Sequence, residues 1–106
     1  MIPTYLIKRV CLIQHRVDFR MGAESLLAEA YRLELNPYNG DLILFVRKNK
    51  SSVKILFADS NGLWLATKYF HKGIVPREFK FLEQPSVNQI APSVASRLIE
   101  GSKYLP

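Results

Sequence analysis

The sequence predicts an α+β domain in which a strand, a helix and a three-strand meander build a small, mostly antiparallel sheet, followed by a helical C-terminal segment. Residues 19–34 carry apolar side chains at helical spacing. Residues 41–47, 52–59 and 63–70 have the continuous or alternating apolar patterns of strands. Ser60-Asn61-Gly62 separates the last two, and Asn and Gly favour tight turns because they tolerate positive φ.

The first strand and the helix precede the meander. Residues 5–14 are predicted to form a short strand. The apolar face of the helix over 19–34 consists of Ala23, Leu26, Leu27, Ala30 and Tyr31. We expect Asp18 to cap this helix, because its carboxylate can accept from the unpaired amides of the first turn. Asn36-Pro37 should end it, since the residue before a proline is disfavoured in the α region.

The later segments complete the predicted fold. Residues 41–47 contain a continuous apolar run, which is typical of a strand covered on both faces. Residues 78–83 are predicted to add a weaker strand. We expect residues 85–106 to form a helical tail, because Ser86-Val87-Asn88-Gln89 matches the capping-box pattern. Pro92 should break or kink that helix, since proline lacks a backbone N–H.

Composition narrows the class of protein. The 106 residues have the size of one domain, expected to span residues 1–106, and 48% of them are apolar, enough for a core. Lys and Arg outnumber Asp and Glu 15 to 9, and the net charge of +6 attracts polyanions, most commonly nucleic acid. The single Cys11 excludes an intramolecular disulfide, which fits a cytoplasmic protein. The apolar runs are too short for a membrane span, so no membrane partner is expected.

The register of the second hairpin decides which side chains share a face of the sheet. With Ser60-Asn61-Gly62 as a three-residue loop, Lys68 lies opposite Lys54, and the aliphatic side chains collect on the other face. With Asn61-Gly62 as a two-residue loop, Lys68 joins the apolar face instead. We favour the three-residue loop, because it separates apolar from charged positions more cleanly.

The favoured register places a lysine pair beside Trp64, which suits a nucleic-acid backbone with an aromatic ring available for stacking. The alternative is a core position for Trp64 and a merely solvated face for Lys54. The loop after residue 46 is the densest positive stretch, and a second basic cluster follows the third strand of the meander. The candidate DNA-binding residues of these two segments are Arg47, Lys48, Lys50, Lys68 and Lys72.

Catalytic and metal-binding patterns are missing from the sequence. His15, His71 and Cys11 have no zinc-site spacing, and no phosphate-binding glycine loop or nucleophile elbow occurs, so we expect no cofactor and no metal. DNA cleavage with metal ions requires a set of acidic residues, and only Asp18, Asp41 and Asp59 could converge. Each of these also has a structural role, as a helix cap or beside a turn.

Taken together, these segments resemble a known family, the accessory proteins encoded by the second open reading frame of insertion sequences of the IS-sixty-six type, often labelled TnpB. Asp18-Phe19-Arg20-Met21-Gly22 is similar to the family's D-x-R-x-G segment, and Pro37-Tyr38-Asn39-Gly40-Asp41-Leu42 to its P-[FY]-x-G-x-L turn. Val53-Lys54-Ile55-Leu56 matches V-K-I-L, and Asp59-Ser60-Asn61-Gly62-Leu63 resembles D-x-x-G-L. His71-Lys72-Gly73 is similar to the family's charged pair before glycine.

The resemblance implies a role in transposition beside a separate transposase that carries the catalytic residues. It implies DNA, the transposase or both as partners, so we expect a non-enzymatic accessory protein that contacts DNA phosphates. Arg20, Lys54 and Lys68 are the basic positions that match the family. Arg20 has a structural alternative, in which it pairs with Asp18 or Asp59 to hold the helix start against the hairpin.

Two other functions remain open from the sequence. One is a protein-protein adaptor without direct DNA contact, and the other is a metal-dependent nuclease that uses the three aspartates. An exposed sheet edge would also allow a homodimer.

Overall fold

A computed structural model describes residues 6–49, 51–70 and 80–100, with side chains described up to residue 96. The fold is α+β, as predicted. Its elements in chain order are β1 (Arg9–Ile13), α1 (Ala23–Arg32), β2 (Asp41–Val46), β3 (Ser52–Asp59), β4 (Gly62–Tyr69), β5 (Val87–Ile90) and α2 (Pro92–Glu100). The described helices are too short and too polar to cross a membrane.

The five strands form one sheet in the order β4-β3-β2-β1-β5. β1 and β2 pair in parallel, with Cys11 beside Ile43, because α1 carries the chain back to the starting end of the sheet. The other neighbours are antiparallel. The parallel pair brings the carboxyl ends of β1 and β2 to the same end of the molecule.

Both faces of the sheet are covered. On one face, Leu26 and Ala30 of α1 pack against side chains of β1, β2 and β3 that include Cys11. On the other face, Ala95 of α2 joins a cluster built from the alternate positions of the same strands. All six residues of β2 are buried, which confirms the two-sided cover predicted from its apolar run. Cys11 is also buried, and burial raises the pKa of its thiol.

The predicted boundaries of the first helix are wrong at both ends. The helix begins at Ala23, its N-cap is Gly22, and no side chain caps it. Asp18 lies too far upstream, because residues 17–22 form a loop before the helix starts. The helix ends at Arg32, and Glu34 adopts a left-handed backbone with φ of 63°. Pro37 then opens a single 3₁₀ turn.

The capping-box prediction for Ser86-Val87-Asn88-Gln89 is also wrong. Val87–Ile90 form β5, because β1 would otherwise leave its outer edge unpaired, and the pairing is extended by Gln14 donating to the Ser86 carbonyl at 3.0 Å. Residues 80–83, the described part of the predicted strand over 78–83, are not in a strand. Pro92 does not break α2 but starts it, where proline's missing N–H costs no helical hydrogen bond.

The hairpin between β3 and β4 has neither of the predicted loops. Asp59 pairs with Gly62, so that the loop consists of Ser60 and Asn61. The Asp59 carboxylate accepts from the N–H groups of Asn61 at 2.8 Å and Gly62 at 3.1 Å, which closes the turn earlier than predicted. Lys54 consequently lies opposite Thr67, and Lys68 lies opposite Val53.

Candidate nucleic-acid interface

Lys54 and Lys68 occupy opposite faces of the sheet, so the predicted lysine pair does not form. Lys54 is on the α1 face, and its ammonium group donates to the carbonyl oxygens of Phe19 at 2.6 Å and Met21 at 3.1 Å. The same ammonium lies 5.1 Å from the centre of the Phe19 ring. The half-buried Lys54 therefore anchors the loop over residues 17–22 to the sheet.

The anchored loop presents Arg20 to solvent. The Arg20 side chain is 91% exposed, and its Nε and Nη2 donate to the two carboxylate oxygens of Asp18 at 2.8–3.2 Å. The backbone N–H of Arg20 donates to the same carboxylate at 2.9 Å. These bonds from Arg20 lower the pKa of Asp18 to about 2. The pair of Arg20 with Asp18 forms, as the structural alternative for Arg20 predicted, but both residues lie in the loop over residues 17–22 and Asp59 of the hairpin takes no part in it.

The three aspartates do not converge. Asp41 is buried beside Arg9, with 2.5 Å between Oδ1 and Arg9 Nε, and also accepts from the Asn36 N–H at 2.8 Å. Asp59 closes the hairpin turn and accepts from the Trp64 indole N–H at 2.8 Å. Within the described parts of the chain, no group of three or more His, Cys, Asp or Glu side chains could hold a metal ion. The described aspartates therefore give the nuclease alternative no site.

A basic end of the sheet forms where β2 passes into β3 and where β4 ends. We use this name for Arg47, Lys48 and Lys68, which are all exposed. Val46 pairs with Val53, and Val53 pairs with Lys68, so Arg47 and Lys68 lie about two strand spacings apart, or roughly 10 Å. Lys50 and Lys72, the other predicted DNA-binding residues of these segments, lie outside the described residues.

The cations elsewhere in the fold mostly have partners. Arg9 pairs with Asp41, Arg20 with Asp18 and Arg32 with Glu29, and Lys54 donates to carbonyls. In the described ranges, Arg47, Lys48 and Lys68 form no ion pair with a carboxylate. Lys68 lies 6.0 Å from the centre of the Phe70 ring. No described carboxylate therefore cancels the positive field of these three cations.

Two further cations near this end were not among the predicted DNA-binding residues. Arg16 follows the carboxyl end of β1, and its guanidinium lies 5.3 Å from the centre of the Phe81 ring. Lys80 precedes Leu82, whose N–H donates to the Gln14 carbonyl at the same end. A signal for them was present in the sequence. The predicted order of strand, helix and strand favours parallel pairing of the two strands, which places the residues after β1 and after β2 at the same end of the sheet.

Trp64 is neither a stacking surface beside a lysine pair nor a core residue, the two roles that the sequence left open. It is 37% exposed and lies on the same face as Lys68, but four residues away along β4, roughly 13 Å. Its indole N–H is held by Asp59 at the far end of the hairpin. The Trp64 ring therefore lies neither beside Lys54 nor beside the cations of the basic end.

The fold and the basic end define a small basic α+β protein with three exposed cations at one end of its sheet and no described carboxylate partner for them. The chain belongs to the family of IS66 Orf2 like proteins, whose family model matches residues 8–105. This family is associated with the transposition of insertion sequences, as the resemblance in the sequence implied.

Two curated relatives come from Sinorhizobium fredii, and both are described as uncharacterized proteins. The relative y4hO is 32% identical over 74 residues, which cover 69% of this chain and 64% of y4hO. The relative y4jC is 29% identical over 97 residues, which cover 88% of this chain and 78% of y4jC. This chain thus spans less than two thirds of y4hO. No solved structure matches the chain.

Proposed function

We propose that the protein is a non-catalytic accessory factor of transposition that holds DNA through its phosphates at the basic end. The observation that carries this proposal is the grouping of three exposed cations without carboxylate partners in the described structure at one end of the sheet: Arg47 and Lys48 in the β2–β3 connection and Lys68 near the end of β4. Family membership supplies the process in which DNA is handled.

The shape of the basic end suits a phosphate backbone. Arg47 and Lys48 extend from a hairpin tip, so they can reach a phosphate without burying apolar surface. Lys68 lies on the exposed edge strand, next to this tip. Contacts of this kind position a duplex and carry no sequence information, so binding should be strongly salt-dependent.

A second proposed partner is the transposase of the same element, which would carry out the cutting and joining of DNA. β4 is an edge strand, with β3 on one side and no strand on the other among the described residues. Its backbone can therefore pair with a strand from another protein. The same edge would serve a homodimer, which analytical ultracentrifugation of the full chain would detect.

Salt-dependent DNA binding tests the proposal. Replacing Arg47, Lys48 and Lys68 by Gln removes three phosphate contacts. The slope of log K against log salt should fall in magnitude by about 2.7, since each neutralised phosphate contributes about 0.9. Gel-shift or fluorescence anisotropy titrations of a duplex at several salt concentrations measure this slope.

Single replacements provide a matched control. Lys68→Gln should reduce the slope by about 0.9. Lys8→Gln removes an equally exposed lysine that precedes β1, at the opposite end of the sheet, and should leave the slope unchanged. Equal effects of the two variants, or no effect of the triple replacement, would reject the basic end as the DNA contact. Retained transposase binding in that case would favour the adaptor function.

A further inference from the structure

We propose that Arg20 reads a guanine in duplex DNA and that Asp18 and Lys54 position it for that contact. This inference rests on the proposed DNA-binding function and assigns Arg20 a role distinct from that of the basic end. It starts from the arrangement of the loop over residues 17–22, in which both the backbone and the side chain of Arg20 are held.

The loop is anchored on both sides of Arg20. Lys54 donates to the carbonyls of Phe19 and Met21, the residues directly before and after it. The Met21 N–H donates to the Asp18 carbonyl at 3.0 Å, which tightens the same turn. A side chain on so constrained a backbone loses little further freedom when it binds, and preorganisation of this kind favours a directional contact.

The pairing with Asp18 determines which edge of the Arg20 guanidinium remains free to bind a ligand. A guanidinium has five N–H donors. Asp18 receives one from Nε and one from Nη2, which leaves both donors of Nη1 and the second donor of Nη2. The N–H groups at the outer Nη1–Nη2 edge point in parallel, as a bidentate contact with two acceptors requires. The O6 and N7 atoms of guanine in the major groove are such a pair.

Charge favours a base edge over a phosphate at this position. Asp18 neutralises Arg20, and its own carboxylate is 48% exposed beside the guanidinium, so it repels an approaching phosphate. A guanine edge has neutral acceptors and meets no such repulsion. The basic end differs, because its cations have no carboxylate partners in the described structure and suit phosphates.

The loop and Arg47 of the basic end lie on the same face of the sheet. The Arg47 N–H donates to the Ser52 carbonyl, and Ser52 lies two residues before Lys54 on the same side of β3. Lys68, in contrast, lies on the opposite face. Two residues of strand span roughly 7 Å. Phosphate contacts at the basic end would therefore bring a groove close to Arg20.

Selection from a duplex pool with a randomised segment tests the inference with the full chain. The wild-type protein should enrich guanine at one position by about tenfold over other bases. Arg20→Ala and Arg20→Lys should both lose this preference, since lysine has no planar fork. Binding to random DNA should stay close to that of the wild type in Arg20→Lys, which keeps the charge, and should weaken in Arg20→Ala, which leaves the Asp18 carboxylate unpaired. Asp18→Asn should weaken the preference and tighten binding to random DNA, because it exposes one more positive charge.

Arg32→Ala is the matched control, because Arg32 is another exposed arginine paired with a carboxylate, and it should retain the guanine preference. Random DNA bound without any enriched base would overturn the inference and leave the proposed phosphate binding intact. Persistent guanine enrichment in Arg20→Ala would overturn it as well. No DNA binding by the wild-type chain would reject both proposals.

Discussion

Gly40 shows how a single residue of the P-[FY]-x-G-x-L turn fixes the entry into β2. Its φ of 96° lies in the left-handed region, and its carbonyl accepts from the Lys8 N–H at 2.8 Å. A Cβ at this position would lie 2.7 Å from the Lys8 Cγ atom and 3.0 Å from the Leu6 carbonyl oxygen. The backbone at residue 40 thus has both a conformational and a spatial reason to be glycine.

Replacing Gly40 by Ala should lower the free energy of unfolding by roughly 2–4 kcal/mol, because backbone strain and the close contact add. Gly22→Ala is the control, since nothing lies within 4 Å of an added Cβ there, and its cost should stay under about 1 kcal/mol. Urea unfolding measures both. A similar loss in the two variants would show that the Gly40 backbone relaxes without strain.

The pairing of β3 with β4 gives two lysines of one hairpin different roles. Lys54→Met should lower the free energy of unfolding by about 2 kcal/mol, because the Phe19 and Met21 carbonyls lose a charged donor. Lys68→Met should change it by less than about 0.5 kcal/mol, since that side chain is exposed. Denaturant unfolding of both variants measures the two changes in free energy. The reverse order of the two losses would contradict the observed register.

The pH dependence of stability belongs to the whole molecule, because three aspartates in separate parts of the fold have lowered pKa values. Hydrogen bonds from Arg20 lower the pKa of Asp18 to about 2. Burial alone would raise the pKa of Asp41, but bonds from Arg9 and the Asn36 N–H outweigh it and lower that pKa. The Trp64 N–H and backbone N–H groups lower the pKa of Asp59.

In the unfolded chain these carboxyls titrate near pH 4, so the unfolded state binds more protons below that pH. Their stabilising effect should be complete above about pH 4 and should be lost as the pH falls through the folded values, about 2 for Asp18. The free energy of unfolding, measured from pH 5 down to pH 2, should therefore decrease. Asp41→Asn should make the free energy of unfolding less dependent on pH. An equally steep decrease in that variant would show that Asp41 does not contribute to the pH dependence.

Much of the fold was predictable from local pattern, but the candidate site was not. The bounds of β3 were predicted as observed, and β2 was correctly expected to be buried on both faces. The prediction that Lys54 and Lys68 share a face was wrong, because the observed pairing of β3 with β4 is shifted by one residue from the favoured register. Such a shift moves every side chain of β4 to the other face relative to β3. That register depends on how Asp59 closes its turn, which apolar periodicity does not encode.

Composition and periodicity alone establish a basic α+β protein and a doubly covered central strand, because both depend on residue types and short-range spacing. The order of the sequence motifs, through their resemblance to known proteins, indicates the family to which the chain belongs. The anchoring of the Arg20 loop by Lys54, the conversion of a helix-start pattern into β5 and the separation of Lys54 from Lys68 required the folded chain. The reason is physical: these features depend on hydrogen bonds between backbone and side-chain groups that are distant in sequence, and local patterns do not specify the partners of such bonds.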